Sequence, residues 1–200
     1  MISVIIPYNK DRGYLIQAIN SVQTQIYRDV EIILSYSDKS VGYNINRGIE
    51  KARGEYVCFL CDDDTLPPNS LQDRLEAIKD FDFIHGRSMQ FNENGDIKEW
   101  PLTDRRTNLK KMLNQNGIMG GTVLYRKSLF DSFKWDEELW TGEEYDVNLY
   151  LLKNGFKLGF CNSFVYNYRR HSEQKSLGNK DFKYQNARRI EVERIRSRYA

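Results

Sequence analysis

Apolar positions along the chain alternate between two periods. A continuous run from Ile2 to Ile6 is closed by Pro7, and Leu15, Ile19, Val22 and Ile26 follow at steps of four, three and four. The run has the length of a buried strand, and the stepped positions share one face of a helix. The change of period returns twice. VEIIL at 30–34 precedes Ile45, Ile49 and Ala52 with Gly54 just beyond, and YVCFL at 56–60 precedes Leu71, Leu75 and Ile78 after Pro67 and Pro68. Strand alternating with helix predicts an α/β fold with one doubly wound, mostly parallel sheet flanked by helices.

The second half is less regular. FDFIHGR and GGTVLYR read as strands, with a long loop expected between them around Trp100 and Pro101. Tyr145, Leu149 and Leu152 predict a helix ended by Gly155, and KLGFC and FVYNY predict two last short strands. A small antiparallel element is therefore expected in this half. Residues 1–180 are expected to form one domain, with halves at 1–100 and 101–180. Ser172 to Asn179 is the linker candidate, leading to a basic helix at 181–200. The narrow stripe of Val192, Ile195 and Tyr199 favours packing of that helix against a further domain over docking on an anionic membrane surface.

Composition changes the picture little. With 200 residues, 40% hydrophobic and 29% charged, the chain is that of a globular protein of one domain. A formal charge of +2 does not call for nucleic acid as a partner. No apolar run approaches the roughly 20 residues that span a bilayer, and no basic region precedes the first strand, so a cytoplasmic setting is expected, peripheral to a membrane at most. Three cysteines imply no disulfide framework. Cys58 and Cys61 form a C-x-x-C without a second pair, and residues three apart on a strand face opposite ways, so Cys58 is read as core rather than as a zinc ligand.

The chemistry is concentrated at Asp62, Asp63 and Asp64, directly after the third strand. The carboxyl ends of parallel strands are where open α/β sheets bind ligands. Three adjacent carboxylates repel one another unless donors or a cation hold them, and hard divalent ions take such oxygen ligands, so Mn²⁺ or Mg²⁺ is implied. A solvated acidic turn with one Asp capping the next helix is the plainer alternative.

The order SVIIPYN, VEIIL, NINRGIEKARGEYVCFLCDDDTLPPNSL, followed by GGTVLYRKSLFDSFKWDEEL and TGEEYDVNLYLLKNGFKLGF, resembles inverting glycosyltransferase family 2, which has the GT-A fold. The resemblance covers roughly residues 1–175 and implies transfer of a sugar from a nucleotide diphosphate donor, most readily a UDP-sugar, to a hydroxyl of a glycan or lipid-linked acceptor. It implies Asp63 as main metal ligand, with Asp62 beside it and His171 approaching from the C-terminal side. Pro7, Tyr8 and Asn9 would border the nucleotide, with Asn46 and Arg47 on the following helix, and Gly120 and Gly121 would lie near sugar and acceptor. Arg169 would contact diphosphate, as a guanidinium matches phosphate oxygens.

Two positions depart from the family's pattern. Where an acidic pair contacts base and ribose, this chain has Ser35, Tyr36, Ser37 and Asp38, so Tyr36 and Asp38 become the candidates. Where Glu-Asp supplies the catalytic base, it has Glu143 and Glu144. Glu144 is then the expected base, Asp146 the alternative, and Glu143 support. Thr141 to Glu144 also fits a capping box, which is a purely structural use of the same acids. Three rival functions are a catalytically inactive nucleotide-sugar or glycan-binding module, a nucleotidyltransferase, and a nucleic-acid binder using the basic tail.

Overall fold

The computed structural model describes residues 1–92, 94–100, 107–172, 174 and 182–200. The three expected strand and helix pairs form as read: β1 (Ile2–Tyr8) and α1 (Leu15–Gln23), β2 (Val30–Tyr36) and α2 (Val41–Lys51), β3 (Tyr56–Phe59) and α3 (Ser70–Ile78). β1 lies between β2 and β3, parallel to both. Beyond β3 the sheet continues with β6 (Leu124–Arg126) and β4 (Phe83–Asn92), and β7 (Leu158–Arg170) runs parallel to β4. The short β5 (Ile97–Glu99) also pairs with β4, so the sheet has seven strands. The long pairings are parallel, and the antiparallel ones, at β6 and β5, involve two or three residues each.

Period-two alternation sorts β1 onto two cores. Ile5 packs with Ile33, Ile45, Phe59 and the helix α5 (Glu143–Lys153) on one face. Ile2, Val4 and Ile6 pack with Ala18, Val22, Leu71 and Tyr166 on the other. With both faces covered, β1 can be apolar without interruption.

Three expectations change. KLGFC and FVYNY are parts of one 13-residue strand, because Asn162 and Ser163, which break the apolar pattern, are absorbed where the register against β4 shifts at Gly86 and Arg87. The long loop is shorter than expected, since β4 runs on to Asn92 and α4 (Leu109–Asn114) forms before β6. Residues 101–106 and most of the linker candidate lie outside the described residues.

The third change is the C-terminal helix, α6 (Phe182–Ser197), which packs on the domain that precedes it. Ile195 is fully buried and Val192 and Tyr199 join the α5 core. The narrow apolar stripe is wide enough to seat the helix against α5. No helix among the described residues is long and apolar enough to cross a membrane.

Candidate functional site

Strands β1 and β3 end side by side, and a cleft of about 480 Å³ opens at their carboxyl ends. Pro7, Tyr8, Asn9 and Arg12 form one wall, and Lys39, Ser40, Val41 and Asn44 extend it at the start of α2. Cys61, Asp62 and Asp63 form the floor, and Glu137 to Trp140 with Glu143 face them. Ser40 caps α2 through the backbone N–H of Tyr43, so the positive end of that helix borders the cleft next to Lys39.

The three aspartates have separate surroundings. Asp64 is buried and accepts from the Tyr166 hydroxyl at 2.6 Å and the Arg169 backbone N–H at 2.7 Å. It is structural: burial first and Asp63 second hold its pKa well above the usual range, against those two donors. Asp63 sits 3.0 Å from the Nε2 of buried His171. Asp62 meets Arg12 Nη1 at 3.3 Å. Burial, and then Asp63, push Asp62 up to about 6, and Arg12 pulls it part of the way back.

Cys61 reaches the surface, but its sulfur is desolvated. That desolvation, with the charges of Asp64, Asp63 and Glu144, raises its thiol pKa well above the usual value. The sulfur and one oxygen each of Asp63 and Asp64 lie within 4.8 Å of one another. Asp64 already has two donors, whereas Asp63 Oδ2 faces His171 Nε2.

Opposite this floor, α5 begins at Gly142, which holds φ +81° and caps without a side chain. The capping box from Thr141 does not form. Glu143 lines the cleft, while Glu144 lies against Gly120, where a Cβ would overlap its side chain. The neighbouring Gly121 has the same constraint from the Tyr166 ring. The glycine pair therefore lets a backbone turn pass between the base candidate and the phenol that holds Asp64.

The chain is similar to known proteins in both sequence and shape. The model of glycosyl transferase family 2 matches residues 36–133. Over that stretch the chain resembles glycosyl transferase family 2. An uncharacterised glycosyltransferase of Rickettsia conorii is 26% identical over 88% of this chain, which spans 35% of that relative's length. A GalNAc(5)-diNAcBac-PP-undecaprenol beta-1,3-glucosyltransferase of Campylobacter jejuni is 27% identical over 76% of this chain and 60% of its own. TarS 1-349 of S. aureus, solved in complex with UDP-GlcNAc, superposes with a TM-score of 0.73 at 16% identity, covering 95% of this chain and 66% of that one. At that identity the likeness speaks for the fold, which is GT-A-like.

Within this GT-A-like fold, the expected site residues divide. Pro7, Tyr8, Asn9, Asp62, Asp63, His171, Glu143, Glu144, Gly120 and Gly121 gather at or directly behind the cleft. Six others do not. Asp146 is buried under α6, where Tyr199 and Arg198 donate to it at 2.9 and 3.0 Å. Asn46 pins the 135–137 segment, donating to the Trp135 carbonyl and to Glu137 and accepting from the Trp135 N–H. Arg47 and Asp38 are exposed away from the cleft lining. Tyr36 is 65% exposed, its ring against Tyr8. Arg169 is buried and acts as a strut: it reaches the Asp63 carbonyl and Gln17, and packs between the rings of Tyr14 and Phe91.

Arg12, Lys39, Asn44, Glu137, Glu138 and Trp140 line the cleft without having been singled out in the sequence. Only Asn44 carried a signal, as an amide on the apolar stripe of α2. It is buried, and it exchanges hydrogen bonds with Ser37 and the Tyr8 carbonyl, joining the ends of β1 and β2. The others come from turns, where no periodicity marks the facing side.

Proposed function

We propose that the protein transfers a sugar from a UDP-sugar to a hydroxyl of a glycan or lipid-linked acceptor, inverting the anomeric centre. The observation that carries this reading is one cleft flanked by the Asp63 and His171 pair on one side and by the acids at the start of α5 on the other. The match of residues 36–133 to the family 2 model supports the same class of reaction.

Asp63 and His171 would hold Mn²⁺ or Mg²⁺. A carboxylate oxygen and an imidazole nitrogen 3.0 Å apart form a donor set that such an ion accepts, the nitrogen suiting Mn²⁺ better. Bound there, the ion would offset the charge that develops on the departing diphosphate. The rest of the chemistry belongs to the chain. Pro7, Tyr8, Lys39 and the start of α2 orient the nucleotide, with the helix dipole and Lys39 favouring its negative charge. Glu144 removes the proton of the acceptor hydroxyl as it attacks the anomeric carbon, and a single displacement inverts the centre. Arg12 keeps Asp62 from repelling the donor.

The test is UDP release from a panel of UDP-sugars with Mn²⁺, with excess chelator, and with a glycan or lipid-linked acceptor. Metal-dependent release that rises with acceptor is the expected result. Tight donor binding with no turnover for any acceptor would instead make the chain a binding module.

A further inference from the structure

Helix α5 carries Glu143 at the cleft and Glu144 next to it against Gly120, yet its N-cap, Gly142, offers no side-chain hydrogen bond. Its orientation is set from outside, by the end of the chain. Ile195 of α6 presses on Gly142, where a Cβ would come within 2.8 Å of its Cδ1. One turn further on, Tyr199 and Arg198 both donate to Asp146. The other nitrogen of the Arg198 fork pairs with Asp136 at 2.7 Å. Asp136 directly precedes Glu137 and Glu138 on the cleft wall, and Tyr184 of α6 sets its ring 5.5 Å from Trp140 of the same wall.

A single guanidinium therefore joins the loop that shapes the cleft to the helix that presents its acids. We propose that Arg198 and Tyr199 are positioning residues for sugar transfer, setting the angle at which α5 holds Glu144 toward the acceptor. The proposal rests on the reading of Glu144 as the base. Neither residue lines the cleft, so a change at either should leave the donor's contacts in place and move the base. Misplacing a reacting group by about 1 Å costs on the order of 10²-fold in rate. Binding contacts on the other wall of the cleft would not be affected.

The test uses the full 200-residue chain, UDP-GlcNAc as donor, Mn²⁺, and the variants Arg198→Ala, Arg198→Lys and Tyr199→Phe. Arg189→Ala, on the exposed side of α6, serves as control. Arg198→Ala should lower kcat about 10- to 100-fold while UDP affinity by calorimetry stays within about twofold. Arg198→Lys should recover part of the loss, since an ammonium can meet either carboxylate but does not fork between them. Tyr199→Phe should show a smaller loss, and it carries the test if Arg198→Ala does not fold. Unchanged kcat per folded molecule, or UDP affinity falling in step with kcat, would overturn the proposal. If the wild type releases no UDP, it is the transferase reading that fails, and hydrogen exchange decides the positioning claim. Arg198→Ala must then lose amide protection at 143–146 while 61–64 is unaffected, and equal protection in both proteins would refute it.

Discussion

Glu31 and Asp62 stand at opposite ends of the same three strands, and each side chain is 14% exposed. Their ionisation moves in opposite directions. Burial works against the charge of both, but Glu31 accepts from Ser3 Oγ, from the Arg53 N–H and Nε, and from the Gly54 N–H, and its pKa is lowered. Asp62 has one guanidinium at 3.3 Å and another carboxylate next to it, and its pKa rises to about 6. Equal side-chain exposure does not equalise them: burial and the Asp63 charge dominate at Asp62, whereas at Glu31 the donors together outweigh burial. The amino end of the sheet is electrostatically satisfied and serves stability. The carboxyl end keeps an excess of negative charge that a cation can relieve.

The largest expected break in this contrast is at Glu144. Glu144→Gln should lose about 10²–10⁴-fold in turnover and keep UDP and Mn²⁺ affinity, measured by UDP release and calorimetry, because it removes a proton acceptor and no binding contact. A fall in melting temperature with turnover intact would return the residue to a structural role.

Next is Tyr166→Phe, which takes one of the two donors from buried Asp64 and the partner from the Cys61 N–H. Urea unfolding should show a loss of about 1–3 kcal/mol, the range for leaving a buried polar group unsatisfied.

Glu31→Gln tests the satisfied end. The folded-state pKa is depressed, so the carboxylate stabilises above the ordinary value of 4.5, and that contribution is lost as pH falls through the folded value. The variant should be about 1–2 kcal/mol less stable at pH 7, with the gap to wild type closing below pH 4.5 in pH-dependent unfolding.

The smallest effect sharpens the comparison by its sign. Asp62 ionises at 3.8 in the unfolded chain and about 6 in the folded one, so the ion-free protein loses stability as pH rises between those values. Asp62→Asn should therefore gain about 1 kcal/mol at pH 7 in chelator, with no gain near pH 4 and less with Mn²⁺ present. A thermal melt series reads all three conditions.

The same contrast marks how much of the molecule was legible in its residues. Asp62 to Asp64 were found as a group, but their division into a structural Asp64, a ligand-like Asp63 and a salt-bridged Asp62 depends on Tyr166, His171 and Arg12, which lie up to 108 residues away. Arg169 and His171, two positions apart on one strand, were both read as ligand contacts. Only His171 meets the Asp63 carboxylate, while the guanidinium of Arg169 donates to the Asp63 backbone carbonyl and is enclosed by Tyr14, Phe91 and Gln17. Asn46, expected beside the nucleotide, pins the 135–137 segment, while Asn44, two positions earlier on α2, borders the cleft.

What the sequence determined by itself was everything governed by neighbours in the chain. The alternation of periods two and 3.6 set the three leading strand and helix pairs and the parallel sheet, and so the end of the sheet at which the aspartates emerge. What the tertiary structure alone decided was which of those acids keeps its charge, which arginines are struts, and that the basic tail folds back to hold α5. These outcomes turn on donors and packing partners brought together across the fold. A side chain's ionisation and direction follow from such partners, and no local period encodes them.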